Sequence, residues 1–126
     1  TRPEAAQALV TSLDEAAGRP VAEVTGDLGA AARRASGIVN ATPVGMAKLP
    51  GTPVEPALLA PRHWVADIVY VPLETQFLRA AREAGCRTLT GEGMAVFQAV
   101  RAFELFCGVR PDPERMRTAF RAMGAA

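Results

Sequence analysis

Histidine, lysine, tryptophan and tyrosine occur once each in this chain of 126 residues, as His63, Lys48, Trp64 and Tyr70, and cysteine occurs only twice. A single histidine, with no cysteine pair at ligand spacing, does not supply the donor set of a zinc site. Cys86 and Cys107 lie far apart in apolar stretches, and read as two reduced core thiols of a cytosolic protein rather than a disulfide framework. An excess of one charge is also lacking: the net charge is +1 with both signs interspersed, which leaves no electrostatic footprint for nucleic acid or an anionic membrane surface. No apolar run approaches the roughly 20 residues that cross a bilayer. No secretory pattern opens the chain. TRPEAAQAL reads instead as the opening of a helix, and a cytoplasmic location is expected.

What is present suits one ordinary domain. Hydrophobic residues make up 49% of the chain, too many for a disordered segment. At this length roughly two-thirds of the unfolded surface is buried on folding. Thr1 and Glu4 form a capping box around Pro3, and Ala6, Leu9, Val10, Leu13 and Ala17 follow at helical spacing until Gly18 and Pro20 stop them. Val21–Thr25 alternates like a short strand. Asp27 caps a helix over Leu28–Ala35, and Gly37–Ala41 reads as a strand. Thr42–Arg62 is broken by five prolines, with one helical turn at Ala57–Ala60.

Trp64–Tyr70 is a β-branched, apolar strand. Glu74–Ala84 is a helix with Leu73, Phe77, Ala81 and Ala84 on one face, and Arg87–Leu89 a short strand. Gly93–Cys107 is a helix apolar almost all round, which predicts burial from more than one side. Asp112 and Pro113 open a last helix with a narrow stripe of Met116, Phe120 and Met123. Strands alternating with helices predict an α/β domain built on a parallel sheet with helices on both faces. The near-continuous apolar strands agree.

In such sheets ligands bind beyond the carboxyl ends of the strands, and that is where GIVNATPVGM (37–46) breaks. Asn40 and Thr42 supply short donors and acceptors there, and Gly45 permits close approach or a positive φ. The pattern alone leaves two readings open, a ligand-facing strand end and a plain strand-to-loop turn.

Four strings, NATPVGM (40–46), DIVYVPLET (67–75), GCRTLTGEGMAVFQAVRAFELF (85–106) and PDPERMR (111–117), occur in order. Together they resemble the C-terminal, cofactor-binding half of the shikimate/quinate dehydrogenase family, whose members oxidise a ring hydroxyl of shikimate or quinate and pass hydride to NADP or NAD. The resemblance implies an incomplete Rossmann-like parallel sheet with flanking helices, lacking its first two strands and phosphate loop and ending in two C-terminal helices. It implies a partial NAD(P)-binding domain over 1–92, and helices over 93–126 that link to and pack on a substrate domain outside this chain.

By the same resemblance Tyr70 lines the substrate pocket and the Gln98 amide binds substrate hydroxyls. Ile68 touches the nicotinamide end through its backbone, and Gly91 lets the backbone meet the cofactor. Asn40 and Thr42 run beside the dinucleotide, and Met94 packs near the nicotinamide. Arg2 stands where relatives read the adenosine 2′ position; it either faces a 2′-phosphate, favouring NADP, or is a solvent-exposed helix-start arginine. The roles are chemically sensible, since a polyol needs fixed hydrogen-bond partners and an amide offers donor and acceptor together. On residue type alone, Tyr70 is equally a strand-end aromatic whose hydroxyl reaches water, and Gln98 a satisfied polar group in a packed helix.

The departures from the family pattern are as informative. GEGM is not the G-x-G-x-x-G fingerprint. The family's proton-transfer lysine and aspartate belong to an N-terminal domain, and Lys48 matches neither its place nor its context. Asp67 reads as a residue that orients loops. No residue of the chain inherits the acid–base role. The central strands of a dinucleotide-binding sheet are not in the sequence, so the strand at 37–41 is expected to present a bare edge. The expected partner is therefore an N-terminal segment or companion chain, beside a shikimate- or quinate-like small molecule. An aminated analogue as substrate, a non-catalytic nucleotide-binding module and an architectural domain of a longer enzyme are the alternatives.

Overall fold

Glycine, proline and short polar caps divide the chain into five helices and three short strands among residues 3–124, which a computed structural model describes. The helices are α1 (Pro3–Ala17), α2 (Leu28–Arg34), α3 (Gln76–Glu83), α4 (Glu92–Cys107) and α5 (Pro113–Gly124). The strands are β1 (Gly37–Asn40), β2 (Trp64–Asp67) and β3 (Arg87–Leu89), with a 3-10 turn at Pro56–Leu58. The backbone divides into two compact units, one up to Ala31 and one from Ala32 onward.

In the first unit α1 forms as its spacing predicts. The Thr1 end of the capping box and Arg2 lie outside the described residues. Val21–Thr25 is not a strand. The Asp14 carboxylate accepts from the amides of Val21 and Ala22 at 2.7 and 3.2 Å, so these donors bond to a side chain instead of a ladder. Alternation marks a segment that could pair, but pairing needs a neighbour, and the described residues provide none. Asp27 does cap α2, accepting from the Ala30 amide at 2.8 Å.

The second unit holds a three-stranded parallel sheet in the order β1-β2-β3. Gly37 stands beside Trp64 and Trp64 beside Arg87; at the other end Asn40 stands beside Asp67. Thr75 caps α3 by accepting from the Leu78 amide at 3.2 Å. That cap aims Phe77, Leu78 and Ala81 at Val65, Leu59 and Cys86, which together form the core. His63 is buried between the turn before β2 and the end of α2. Its Nδ1 accepts from the Ala60 amide at 3.1 Å, so Nε2 carries the hydrogen and donates to the Ala32 carbonyl at 3.0 Å. Both ring nitrogens thus serve the fold.

Three expectations need correction. The strand predicted to run to Tyr70 ends at Asp67, because the Asp67 carboxylate takes the Val69 amide at 3.0 Å and turns the chain. Cys86 is buried, but Cys107 is exposed at the end of α4. On α4 itself only Val96 and Val100 are buried, while Phe97, Phe103, Leu105 and Phe106 face solvent. An apolar sequence states what a helix can bury, and here, among the described residues, only one side is covered.

Candidate functional site

The break in GIVNATPVGM is built from one side chain. Asn40 is buried, and its amide nitrogen donates to the Val44 carbonyl at 2.8 Å and to Asp67 Oδ1 at 2.9 Å. Its amide oxygen accepts from the Thr42 amide at 3.0 Å and the Thr42 hydroxyl at 2.7 Å. Asp67, equally buried, accepts from the Thr75 hydroxyl at 2.7 Å as well as from Asn40 and Val69. One polar knot therefore joins the carboxyl ends of β1 and β2 to the start of α3. The buried polar groups of Asn40, Asp67 and Thr75 all find partners in it, the condition under which a polar core group is tolerated. Gly45 completes it with φ at 106°, and a methyl there would touch the Thr75 side chain at 3.3 Å. Glycine meets both demands at once.

Beyond the knot the chain leaves β2 through Ile68, Val69 and Tyr70, and later, after β3, it enters α4 at Gly91. A methyl on Gly91 would fall 2.6 Å from the Ile68 carbonyl oxygen and 2.7 Å from that of Val69. The start of α4 thus lies against the exit of β2 with no room for a side chain. Between these elements opens a cleft of 560 Å³ walled by Thr42, Pro43, Met46, Ile68, Tyr70 and Met94. A smaller hollow of 280 Å³ beside Gly91 shares the Ile68 and Met94 walls. Tyr70 is half exposed, and its ring leans on Phe120 of α5 with centroids 6.1 Å apart and planes at 56°.

At the first turn of α4, Glu92 receives two parallel hydrogen bonds from the Arg121 guanidinium, at 2.5 and 3.0 Å. The hydrogen bond from Arg121 holds the Glu92 carboxyl below its usual range. Desolvation opposes this, and the charges of Arg121 and Arg117 add to it. Arg121 is correspondingly raised, first by the same hydrogen bond.

The family model described as the Shikimate 5'-dehydrogenase C-terminal domain matches residues 91–119. The quinate/shikimate dehydrogenase (NAD(+)) of Corynebacterium efficiens is 49% identical over 123 residues, which cover 96% of this chain and 43% of the relative. The shikimate dehydrogenase (NADP(+)) of Streptomyces avermitilis is 53% identical over 116 residues, 90% of this chain and 40% of the relative. Quinate dehydrogenase from Corynebacterium glutamicum, solved in complex with NAD, superposes with a TM-score of 0.83 at 47% identity, over 93% of this chain and 42% of that one. The chain belongs to the C-terminal part of the shikimate/quinate dehydrogenase family. It spans less than half the length of these relatives.

Of the residues that the shikimate/quinate dehydrogenase resemblance singles out, the cleft gathers Thr42, Ile68, Tyr70 and Met94. Asn40 is beneath it, with its amide committed to the knot, and Gly91 borders the smaller hollow. Gln98 does not line the cleft; it is exposed one helical turn beyond Met94, on the same side of α4. Sequence reasoning missed Phe120 as a wall for Tyr70 and missed the Glu92–Arg121 pair. The pair joins positions 29 residues apart, a contact that no local period announces.

Proposed function

We propose that this chain is the dinucleotide-side portion of an NAD(P)-dependent oxidoreductase that interconverts a ring hydroxyl of shikimate or quinate with the corresponding ketone. One observation carries the reading: Tyr70 shares a single cleft, at the carboxyl ends of β1 and β2, with Thr42, Ile68 and Met94. That is the place where a parallel α/β sheet receives its ligand.

The residues fit the ring end of a dinucleotide. Ile68, Met46 and Met94 offer apolar walls wide enough for a flat heterocycle, and the phenol stands at one side. The sequence holds no glycine-rich loop for the pyrophosphate, so that contact falls to the remainder of the enzyme. A bound nicotinamide supplies hydride acceptance from the carbinol carbon. The chain's own side chains have other tasks. Ile68 and Met94 exclude water from the cleft, Tyr70 offers a rigid hydroxyl to the polyol, and Gln98 presents an amide one turn away for substrate hydroxyls.

Proton transfer is not assigned to this chain. Lys48, its one lysine, is exposed in the proline-rich loop, and the Asp67 carboxylate is buried in the knot. By the family resemblance the acid–base pair falls to residues outside this chain, which spans 43% of the Corynebacterium efficiens relative. The same reading makes 1–92 a partial NAD(P)-binding domain and 93–126 the helices that pack on a substrate domain; the exposed Phe97, Phe103 and Phe106 of α4 support it. Among the described residues no helix is long and apolar enough to cross a membrane, and a cytoplasmic location goes with the reading.

The test is turnover by the intact polypeptide that carries this segment, with shikimate and quinate each offered with NAD and NADP. The expected result is substrate-dependent reduction of at least one dinucleotide. Replacing Tyr70 with Phe should raise KM for the hydroxy acid about tenfold, the worth of one good hydrogen bond, and leave KM for the dinucleotide unchanged. A protein that binds dinucleotide and oxidises neither acid would overturn the assignment.

A further inference from the structure

The last helix meets residues at and beside the cleft wall with two consecutive side chains. α5 starts at Pro113 with Asp112 as its cap, accepting from the Glu114 amide at 2.8 Å. Two turns later Phe120 meets the Tyr70 ring and Arg121 meets Glu92. Glu92 is not a remote anchor. It follows Gly91, which is wedged under the Ile68 and Val69 carbonyls, and precedes by two residues the cleft wall Met94. The segment 91–94 is therefore held from one side by the exit of β2 and from the other by α5.

Tyr70 needs such a hold. Its side chain is 44% exposed and makes its aromatic contact with Phe120. A half-exposed tyrosine free to change χ1 must be ordered when it binds a ligand, and that ordering weakens binding. A ring already resting on another ring at a tilted angle has lost the freedom beforehand. The guanidinium fork suits the purpose because two parallel hydrogen bonds fix direction as well as distance.

We propose that Arg121 is a positioning residue for the hydroxy-acid side of the cleft: its fork on Glu92 fixes Phe120, and Phe120 fixes the Tyr70 phenol before substrate arrives. The proposal rests on the reading of Tyr70 as a substrate-side group.

Steady-state kinetics of the intact enzyme test it. Arg121→Ala should raise KM for shikimate or quinate about threefold, the size expected of an ion pair whose guanidinium is exposed. KM for the dinucleotide should stay in place, and the thermal midpoint should fall no further than it does in Glu92→Gln, which breaks the same pair. Phe120→Ala should act in the same direction. Arg121→Lys should restore only part of the loss, because an ammonium cannot form the fork. The exchanged pair Glu92→Arg with Arg121→Glu should bring KM back toward wild type. Equal rises in both KM values would overturn the proposal. So would a hydroxy-acid KM that responds to Tyr70→Phe but to neither Phe120→Ala nor Arg121→Ala. If Tyr70→Phe itself leaves that KM unchanged, the phenol is not a substrate group and both statements fall.

Discussion

The two faces of the three-stranded sheet come from the same strands and have opposite fates. Towards α3 point Ile38, Val65 and Thr88, and beside them Asn40 and Asp67; Val65 is 1% exposed and Phe77 above it is fully buried. Towards the other side point Val39, Trp64 and Leu89, with Val39 53% and Leu89 67% exposed. The alternation of β2 and its neighbours is apolar in both directions, so hydrophobicity does not distinguish the faces. Cover does: α3 lies on one and not on the other. Trp64 partly shields the second face by laying its indole over Gly37, where a methyl would fall 2.0 Å from the ring. An apolar face left open to this extent is a surface for packing against further protein.

The sharpest way to break this comparison is to truncate one residue on each side. Phe77→Ala removes the centre of the covered face and should cost about 3–5 kcal/mol. Leu89→Ala on the open face should stay within about 0.5 kcal/mol in this chain. Urea unfolding of both variants measures the gap. Near-equal losses would mean that the second face is covered in solution.

Next in size is the polar end of the covered face. Asp67→Ala leaves the Asn40 amide and the Thr75 hydroxyl without their buried acceptor, and should cost about 2–3 kcal/mol. A protein that tolerates this change with the cleft intact would show that the knot does not hold the strand ends. The same unfolding curves decide it, read alongside binding of the hydroxy acid.

The knot also marks how far sequence could be read. Asn40, Thr42 and Gly45 were legible as a strand end that breaks sharply, because each residue's local chemistry implies the turn. Whether that end faces a ligand was not legible, since the choice lies in Asp67 and Thr75, 27 and 35 residues further on. The helices α1, α3 and α4 were legible within a few residues from caps and spacing. Val21–Thr25 misled because alternation is a property of one segment and a strand is a property of two. For α4 the composition was right and the burial was not, because solvent exposure depends on what else is present. Tyr70 and Met94 line one cleft, whereas Phe120 carried no mark beyond its place in an apolar stripe.

A smaller effect probes the junction between cleft and helix. Gly91→Ala places a methyl against two backbone carbonyls that cannot move independently. The start of α4 must shift, at a cost of about 1–2 kcal/mol. Because Glu92 and Met94 shift with it, binding at the cleft should weaken as stability falls. Loss of stability with unaltered binding would separate the helix start from the site.

The smallest effect is on the exposed side, and it sets the responses of the two regions to solvent apart. The Glu92 carboxyl is held below its usual range, chiefly by the hydrogen bond from Arg121, with the charges of Arg121 and Arg117 adding to it and desolvation opposing it. A carboxyl whose folded value lies below its unfolded value contributes stability that is fully present above the ordinary glutamate range, near pH ~4.3, and is lost as the pH falls through the depressed folded value. The difference in thermal midpoint between wild type and Glu92→Gln should therefore be constant from neutral pH down to about 5, then shrink toward zero in more acid solution. Added salt should shrink it at neutral pH too, because the Arg121 guanidinium is exposed. The Phe77→Ala difference should respond to neither change, since no charge is involved. A Glu92→Gln difference that grows as the pH falls would mean that Glu92 is stabilised by protonation, and would remove the fork from α5.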